Sequence, residues 1–304
     1  MFAPPMRRAI TFCSLLAFGM FEVDATPATD VRNAILGLLA QPNFQWSREC
    51  EWVSLPDGAP TSSRPEMTTV TLGRTEKDGF TVATMEIAAP AYLARVPGPY
   101  HTVKGVFAGK RGVVDFGKGW LSATDITRLF QQRNRLLEER EKQGVASVML
   151  WASSFVLSGE AMPEALLRTI ADECVAVVTM GGAFSLQLSP TGERQMLDLA
   201  RRHTTAFLSG PVEEVSRCGV KCWLNDGHLT KLEVHLLGRV GFMAAETPVF
   251  MPRRVTPADP RNIDYTATIV FSNTGAAEVS VPKEARDKLR EPEPSDNPEP
   301  AGAR

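Results

Sequence analysis

The chain has 304 residues, 43 % of them hydrophobic and 22 % charged, enough apolar side chains for a core, which excludes disorder over most of its length. Lys and Arg number 33 against 35 Asp and Glu, a formal net charge of -2, so no surplus of positive charge exists to neutralise phosphates and nucleic acid is not an expected partner. After the first 25 residues the apolar runs break well short of the ~20 residues a spanning helix needs, so the mature chain is expected to be soluble or peripherally attached to a membrane.

Met1 to Arg8 ends in Arg7-Arg8, an apolar run follows from Ala9 to Phe21, and Val23-Asp24-Ala25 offers small residues at a cleavage spacing. Residues 1–25 therefore read as a signal peptide, and the mature chain is expected in the periplasm. Cys13 sits inside the apolar run with no small-residue lipobox before it, so lipidation there is not expected. In an oxidising compartment Cys50, Cys174, Cys218 and Cys222 can form disulfides, in any of three pairings, or stay free as small buried hydrophobes.

Thr29 to Leu39 places Val31, Ile35, Leu38 and Leu39 at helical spacing after a Thr29-Asp30 start signal. Phe44, Trp46, Cys50 and Trp52 then alternate with polar residues as a half-buried strand does, and Arg48 shares their apolar face. Two hairpins follow, Val70–Leu72 with Phe80–Ile87 and Thr102–Phe107 with Arg111–Phe116. Ser122-Ala123-Thr124-Asp125 opens a helix with a charged face at Glu138 to Lys142. Val145 to Leu157, with Met149, Trp151 and Phe155, is apolar almost all the way round and must be covered by the sheet or line an apolar space.

Pro163 opens a further helix to about Asp172. Strands Val175–Met180 and Phe184–Leu188 come next, then a helix capped by Ser189. Three or four strands fill Glu214 to Val281, with a long proline-bearing loop at Met243 to Arg261, and Pro282 opens a short last helix. Residues 290–304 hold four prolines and almost no apolar side chain, which predicts a disordered Pro/Glu-rich tail. No linker interrupts residues 26–289, which are expected to form a single α+β domain built on an antiparallel sheet.

Three constellations invite a chemical reading. Gly112 to Lys118 has the spacing of a phosphate-binding loop, but Gly119 stands where a magnesium-binding hydroxyl is required and Gly112 lies within an alternating strand. Cys218, Cys222, His228 and His235 suit tetrahedral zinc by type. A three-residue Asn225-Asp226-Gly227 loop would pair Val220 with Leu232 and Cys218 with Val234, turning both cysteines to an apolar face and His235 to the opposite one with Lys231 and Glu233. His101, His203 and Glu233/His235 are acid–base candidates without a recognisable nucleophile or carboxylate dyad. Neither metal nor cofactor is expected. Arg48 on its apolar face needs a partner, either a structural one in the core or the polar head of a bound amphiphile.

The stretches GVKCWLNDGHLTKLEVHLLGRV (219–240) and YTATIVFSNTGAAEVSVPKEARDKL (265–289) resemble the closing strands of LolA/LppX-like exported proteins, the lipid- and lipoprotein-carrier fold, and especially a bacterial cell-envelope branch of it. The matching features are the Asn225-Asp226-Gly227 turn and Val281-Pro282-Lys283-Glu284-Ala285. Glu76-Lys77-Asp78-Gly79-Phe80 and the helix start Ser189-Pro190-Thr191-Gly192-Glu193 are similar too. The resemblance implies a strongly curved, mostly antiparallel sheet, a half-barrel, wrapped around several helices, with an apolar hollow that holds acyl chains.

The residues point the same way, because a face bearing Phe44, Trp46 and Trp52 opposite so apolar a helix could enclose a dry cavity. The expected function is a non-catalytic periplasmic binding or carrier protein for an acyl chain, lipid or lipoprotein tail, with envelope proteins as further partners. Phe44, Trp46, Trp52, Met149, Trp151, Phe155, Leu232 and Val234 would line the hollow and Arg48 would lie near the head group. The same residues could instead form the filled core of an envelope structural or interaction protein, and a hydrolase is the third reading.

Overall fold

In β1 (Gln45–Pro56) every second side chain from Trp46 to Trp52 is buried and those between are not, the period-2 pattern of a strand with one covered face. That strand is the middle one of an eleven-stranded sheet in the computed structural model, which describes residues 25–41, 43–56, 67–75, 80–88, 102–109, 111–117, 119–133, 153, 156–157, 163–204, 211–241, 261–276 and 280–291.

One antiparallel meander runs outward from β1 through β2 (Met67–Thr75), β3 (Phe80–Ala88), β4 (Thr102–Ala108), β5 (Arg111–Asp115) and the two-residue β6 (Leu121–Ser122). A second consists of β7 (Cys174–Met180), β8 (Ala183–Leu188), β9 (Val212–Asn225), β10 (His228–Val240) and β11 (Arg261–Ser272). The two are joined where β11 pairs antiparallel with β1. The fold is α+β, an antiparallel sheet curving around helices, as the sequence predicts.

Three helices fill the inner face of the second meander. In α1 (Ala25–Leu39) the residues Val31, Ala34, Ile35 and Leu38 form one buried stripe. The helix begins four residues before the expected Thr29 signal, and Pro27 is tolerated because a first-turn amide has no helical partner to lose. Leu166, Leu167, Ile170 and Ala171 of α3 (Glu164–Glu173) and Met196, Leu197 and Ala200 of α4 (Pro190–Thr204) pack into the same core. Gly192 N donates to Ser189 Oγ at 3.0 Å, the expected cap of α4.

At the other half of the sheet, α2 (Ala123–Arg133) is opened by a reciprocal capping pair. Ser122 N donates to Asp125 Oδ2 at 2.9 Å and Asp125 N to Ser122 Oγ at 3.2 Å. Of the apolar stretch 145–157, residues 153, 156 and 157 are described and helical, and Val156 is fully buried. It lies against Gly105 of β4, where an added Cβ would come within 2.4 Å of Val156 Cγ1. The charged segment 138–142 lies outside the described residues, as do residues 1–24, 292–304 and the loop from Met243 onward except Arg261, which opens β11. The last helix, α5 (Lys283–Arg290), packs on the outer face, where Val281, Ala285 and Leu289 cover Val106 and Val113.

The β9–β10 hairpin corrects the expected register. The turn has two residues, Asp226 and Gly227, both with positive φ (50° and 76°), and Asn225 faces His228. A bulge between Leu229 and Lys231 then shifts the pairing, so Val220 meets Val234 rather than Leu232, and Cys218 meets Leu236 rather than Val234. Cys218, Val220, Cys222, Leu232, Val234 and Leu236 nonetheless share the inner face. The extra residue does for the register what a longer loop was expected to do.

Candidate functional site

The inward row of the central strand carries Trp46, Arg48, Cys50 and Trp52, with Phe44 just before the strand. Across the joint β11 sets Phe271 opposite Trp46, Ile269 opposite Arg48, Ala267 opposite Cys50 and Tyr265 opposite Trp52. Leu232 and Val234 of β10 face Ile269 and Ala267 in turn. Six of the nine residues expected to line the hollow are thus contiguous on one face. Met149, Trp151 and Phe155 lie outside the described residues.

Helices α1, α3 and α4 contribute to the same core as this row, leaving Trp46, Arg48 and Trp52 only 1 %, 2 % and 3 % exposed. The ring of Phe44 stands 5.7 Å from that of Trp46 and 6.3 Å from that of Phe271.

Within this apolar interior sits a polar knot. Arg48 Nη2 donates to the Tyr265 hydroxyl at 2.6 Å and Arg48 Nε to Cys50 Sγ at 3.1 Å, while Cys50 Sγ and the Tyr265 hydroxyl are 3.3 Å apart. Cys50 is two residues along β1 and Tyr265 is opposite the residue four along, so the guanidinium reaches along the row toward Trp52. Burial penalises its charge, and the interactions with Cys50 and Tyr265 more than offset that, so Arg48 stays protonated. Burial also pushes the Tyr265 phenol up, against the pull of Arg48, which keeps it a neutral hydroxyl.

Two further polar groups in the row are unsatisfied: the indole Nε1 atoms of Trp46 and Trp52 are buried and find no acceptor among the described residues. Ser153 Oγ, on the helix that reaches Gly105, is in the same position.

Tyr265 is absent from the sequence-based site. Its signal was present, since Ile263, Tyr265, Ala267, Ile269 and Phe271 alternate as an inward row, and a hydroxyl in that row is the natural partner for the one charge in the row of β1.

The other candidates come apart. Cys218 and Cys222 point inward, whereas His235 Nε2 is 3.0 Å from Asp264 Oδ1 on the opposite face and His228 Nδ1 is 2.8 Å from the Asp226 carbonyl in the turn. No group of three or more metal-ligating side chains occurs among the described residues. The amides of Gly117 and Gly119 both donate to Asp115 Oδ1, at 2.7 and 3.1 Å, so the loop after β5 is closed on its own carboxylate rather than on a phosphate. His101 lies outside the described residues and His203 falls in α4. Cys50, Cys174, Cys218 and Cys222 are all free thiols. No described helix is long and apolar enough to cross a membrane.

No protein-family model matches the chain, and no curated protein sequence matches it. Among solved structures it is similar to LprF from Mycobacterium bovis, at 10 % identity and a TM-score of 0.38, over 86 % of this chain and 97 % of that one. It is also similar to the Mycobacterium tuberculosis lipoprotein LppX, at 10 % identity and a TM-score of 0.35, over 84 % of this chain and 100 % of that one.

Proposed function

We propose that the protein is a non-catalytic periplasmic carrier that holds an acyl chain, lipid or lipoprotein tail on the inner face of its sheet. The observation that carries this reading is the pair of buried indole N–H groups, on Trp46 and Trp52, that find no acceptor among the described residues, on the same apolar row as the buried guanidinium of Arg48. An unsatisfied buried donor costs about 1–3 kcal/mol, and a core packed for stability alone would use side chains without one. The carboxylate or ester oxygens of an amphiphile supply acceptors, and its chains add about 0.8 kcal/mol per buried CH₂. In this reading Phe44, Met149, Trp151, Phe155, Leu232, Val234 and the rings of Trp46 and Trp52 meet the chains, while Arg48 and the two indole N–H groups lie near the head group.

The depth of burial favours a second reading. The described part of the row is already covered by helices, as in an envelope structural or interaction protein with a filled core. The deciding experiment is a native mass spectrum of the protein secreted with its own leader, followed by organic extraction. A stoichiometric extra mass that extracts as lipid is expected for the carrier. A bare mass, together with failure to take up added fatty acid or lipopeptide, overturns that reading in favour of the filled core.

A further inference from the structure

The two edges of the sheet are finished differently. On one side β6 is only two residues long and runs directly into α2. On the other, β7 is a seven-residue strand, CVAVVTM, without charge or proline. Edge strands in soluble proteins are ordinarily guarded by charge, proline or brevity, because their outer N–H and C=O groups are a template for another strand. Here the one irregularity is a bulge between Cys174 and Ala176, and the strand beyond it has no such guard: of five exposed large hydrophobic residues among those described, three lie on β7, Val175 at the bulge (60 %), Val178 (59 %) and Met180 (61 %). A rail of backbone donors and acceptors flanked by apolar side chains is matched by an extended strand of the same character.

The charges around β7 set the direction in which a second copy of the strand can pair with it. Asp172 and Glu173 immediately precede it, and the uncharged turn Gly181-Gly182 follows. A second β7 laid parallel would set the two acidic pairs side by side, whereas an antiparallel one places each acidic end against the other copy's glycine turn. With Val178 on the two-fold axis, Val178 meets its own equivalent and Met180 meets the half-buried Ala176, so apolar side chains face apolar ones on both sides of the axis.

We propose that β7 pairs antiparallel with β7 of a second copy of this chain, forming a two-fold dimer with one continuous sheet. A two-fold axis that reverses strand direction at a shared edge runs perpendicular to the sheet, so the inner faces of both copies open on the same side.

The test is sedimentation of the full mature chain over about a hundredfold range of concentration, with hydrogen exchange read in parallel. A monomer–dimer equilibrium is expected, with amides of 174–180 becoming protected as dimer forms. Val178→Lys should weaken the dimer roughly tenfold or more, and Val178→Thr should not. Both should leave the thermal midpoint of the dilute monomer unchanged. Should Val178→Lys fail to fold, Met180→Lys reads the same edge. A wild-type chain that stays monomeric throughout, a dimer that both lysine variants leave intact, concentration-dependent protection outside 174–180, or protection of 174–180 that appears only with a different envelope protein would each overturn the proposal.

Discussion

Cys218 and Cys222 are four positions apart on one inward row, and burial, with Glu193 adding for the first and Cys174 for the second, pushes each thiol up to about 12. The thiolate is the reactive form, so both should be almost unlabelled by a disulfide reagent at neutral pH in the native protein and fully labelled in denaturant. Free-thiol titration with mass mapping checks this. Tyr265→Phe removes the acceptor of the 2.6 Å bond from Arg48 and should cost about 1–3 kcal/mol by urea denaturation, because the guanidinium stays buried.

Trp52→Phe removes an N–H that has no acceptor among the described residues while keeping most of the ring volume. If cargo supplies that acceptor, the variant should retain less lipid on purification while the delipidated protein loses at most about 1.5 kcal/mol. If the core is merely filled, lipid content will not differ. At this scale the sequence exposed the inward row of β1 through its alternation, Arg48 included. It did not expose the partner of Arg48, because the Arg48–Tyr265 contact spans two strands at opposite ends of the chain.

The elements were legible wherever their ends carry chemistry. Ser122 and Asp125 cap α2 as their spacing predicts. Burial alone would raise the Asp125 carboxyl, but hydrogen bonds from Ser122 and Lys288 hold it below its usual value. Because the folded value is depressed, this contribution is fully present above the unfolded carboxylate range, near 4, and is lost as pH falls through the lower folded value. Asp125→Ala should therefore cost about 1 kcal/mol at neutral pH, and the gap between variant and wild type should close in acid, as urea midpoints across pH would show.

The β9–β10 hairpin was legible in its faces but not in its pairing. Alternation fixes which side chains share a face, while a bulge at a polar position such as Thr230 leaves no mark in that pattern. The contact between Gly105 and Val156 was equally hidden, since it joins segments that only the folded sheet brings together. Gly105→Ala should push that helix off β4 and destabilise by about 1–3 kcal/mol, measurable as a lowered thermal midpoint.

Across the whole molecule the sheet is covered on its inner face by α1, α3 and α4 and, near β4 and β5, on its outer face by α5. That last helix is tied down at Lys288, 3.1 Å from Asp125, and by Arg286 over the ring of Phe80. A chain ending before Val281 would bare Val106 and Val113 and should lose on the order of 3 kcal/mol or more, read from the urea midpoint. The antiparallel sheet was expected from hairpin signals and from the resemblance of the closing strands. The order of its strands was not, because no local signal says that the first strand lies beside the last.

That adjacency sets a clock. Gln45 lies opposite Ser272, so the centre of the sheet cannot be closed until nearly all of the chain exists. Each meander is local and can form early, whereas the joint between them has high contact order and is expected to be the slow, final event. A polypeptide threaded outward across a membrane, as this one is proposed to be, benefits from such a delay. The interior that would hold a cargo comes into being only after the last strand has arrived, on the far side of the barrier.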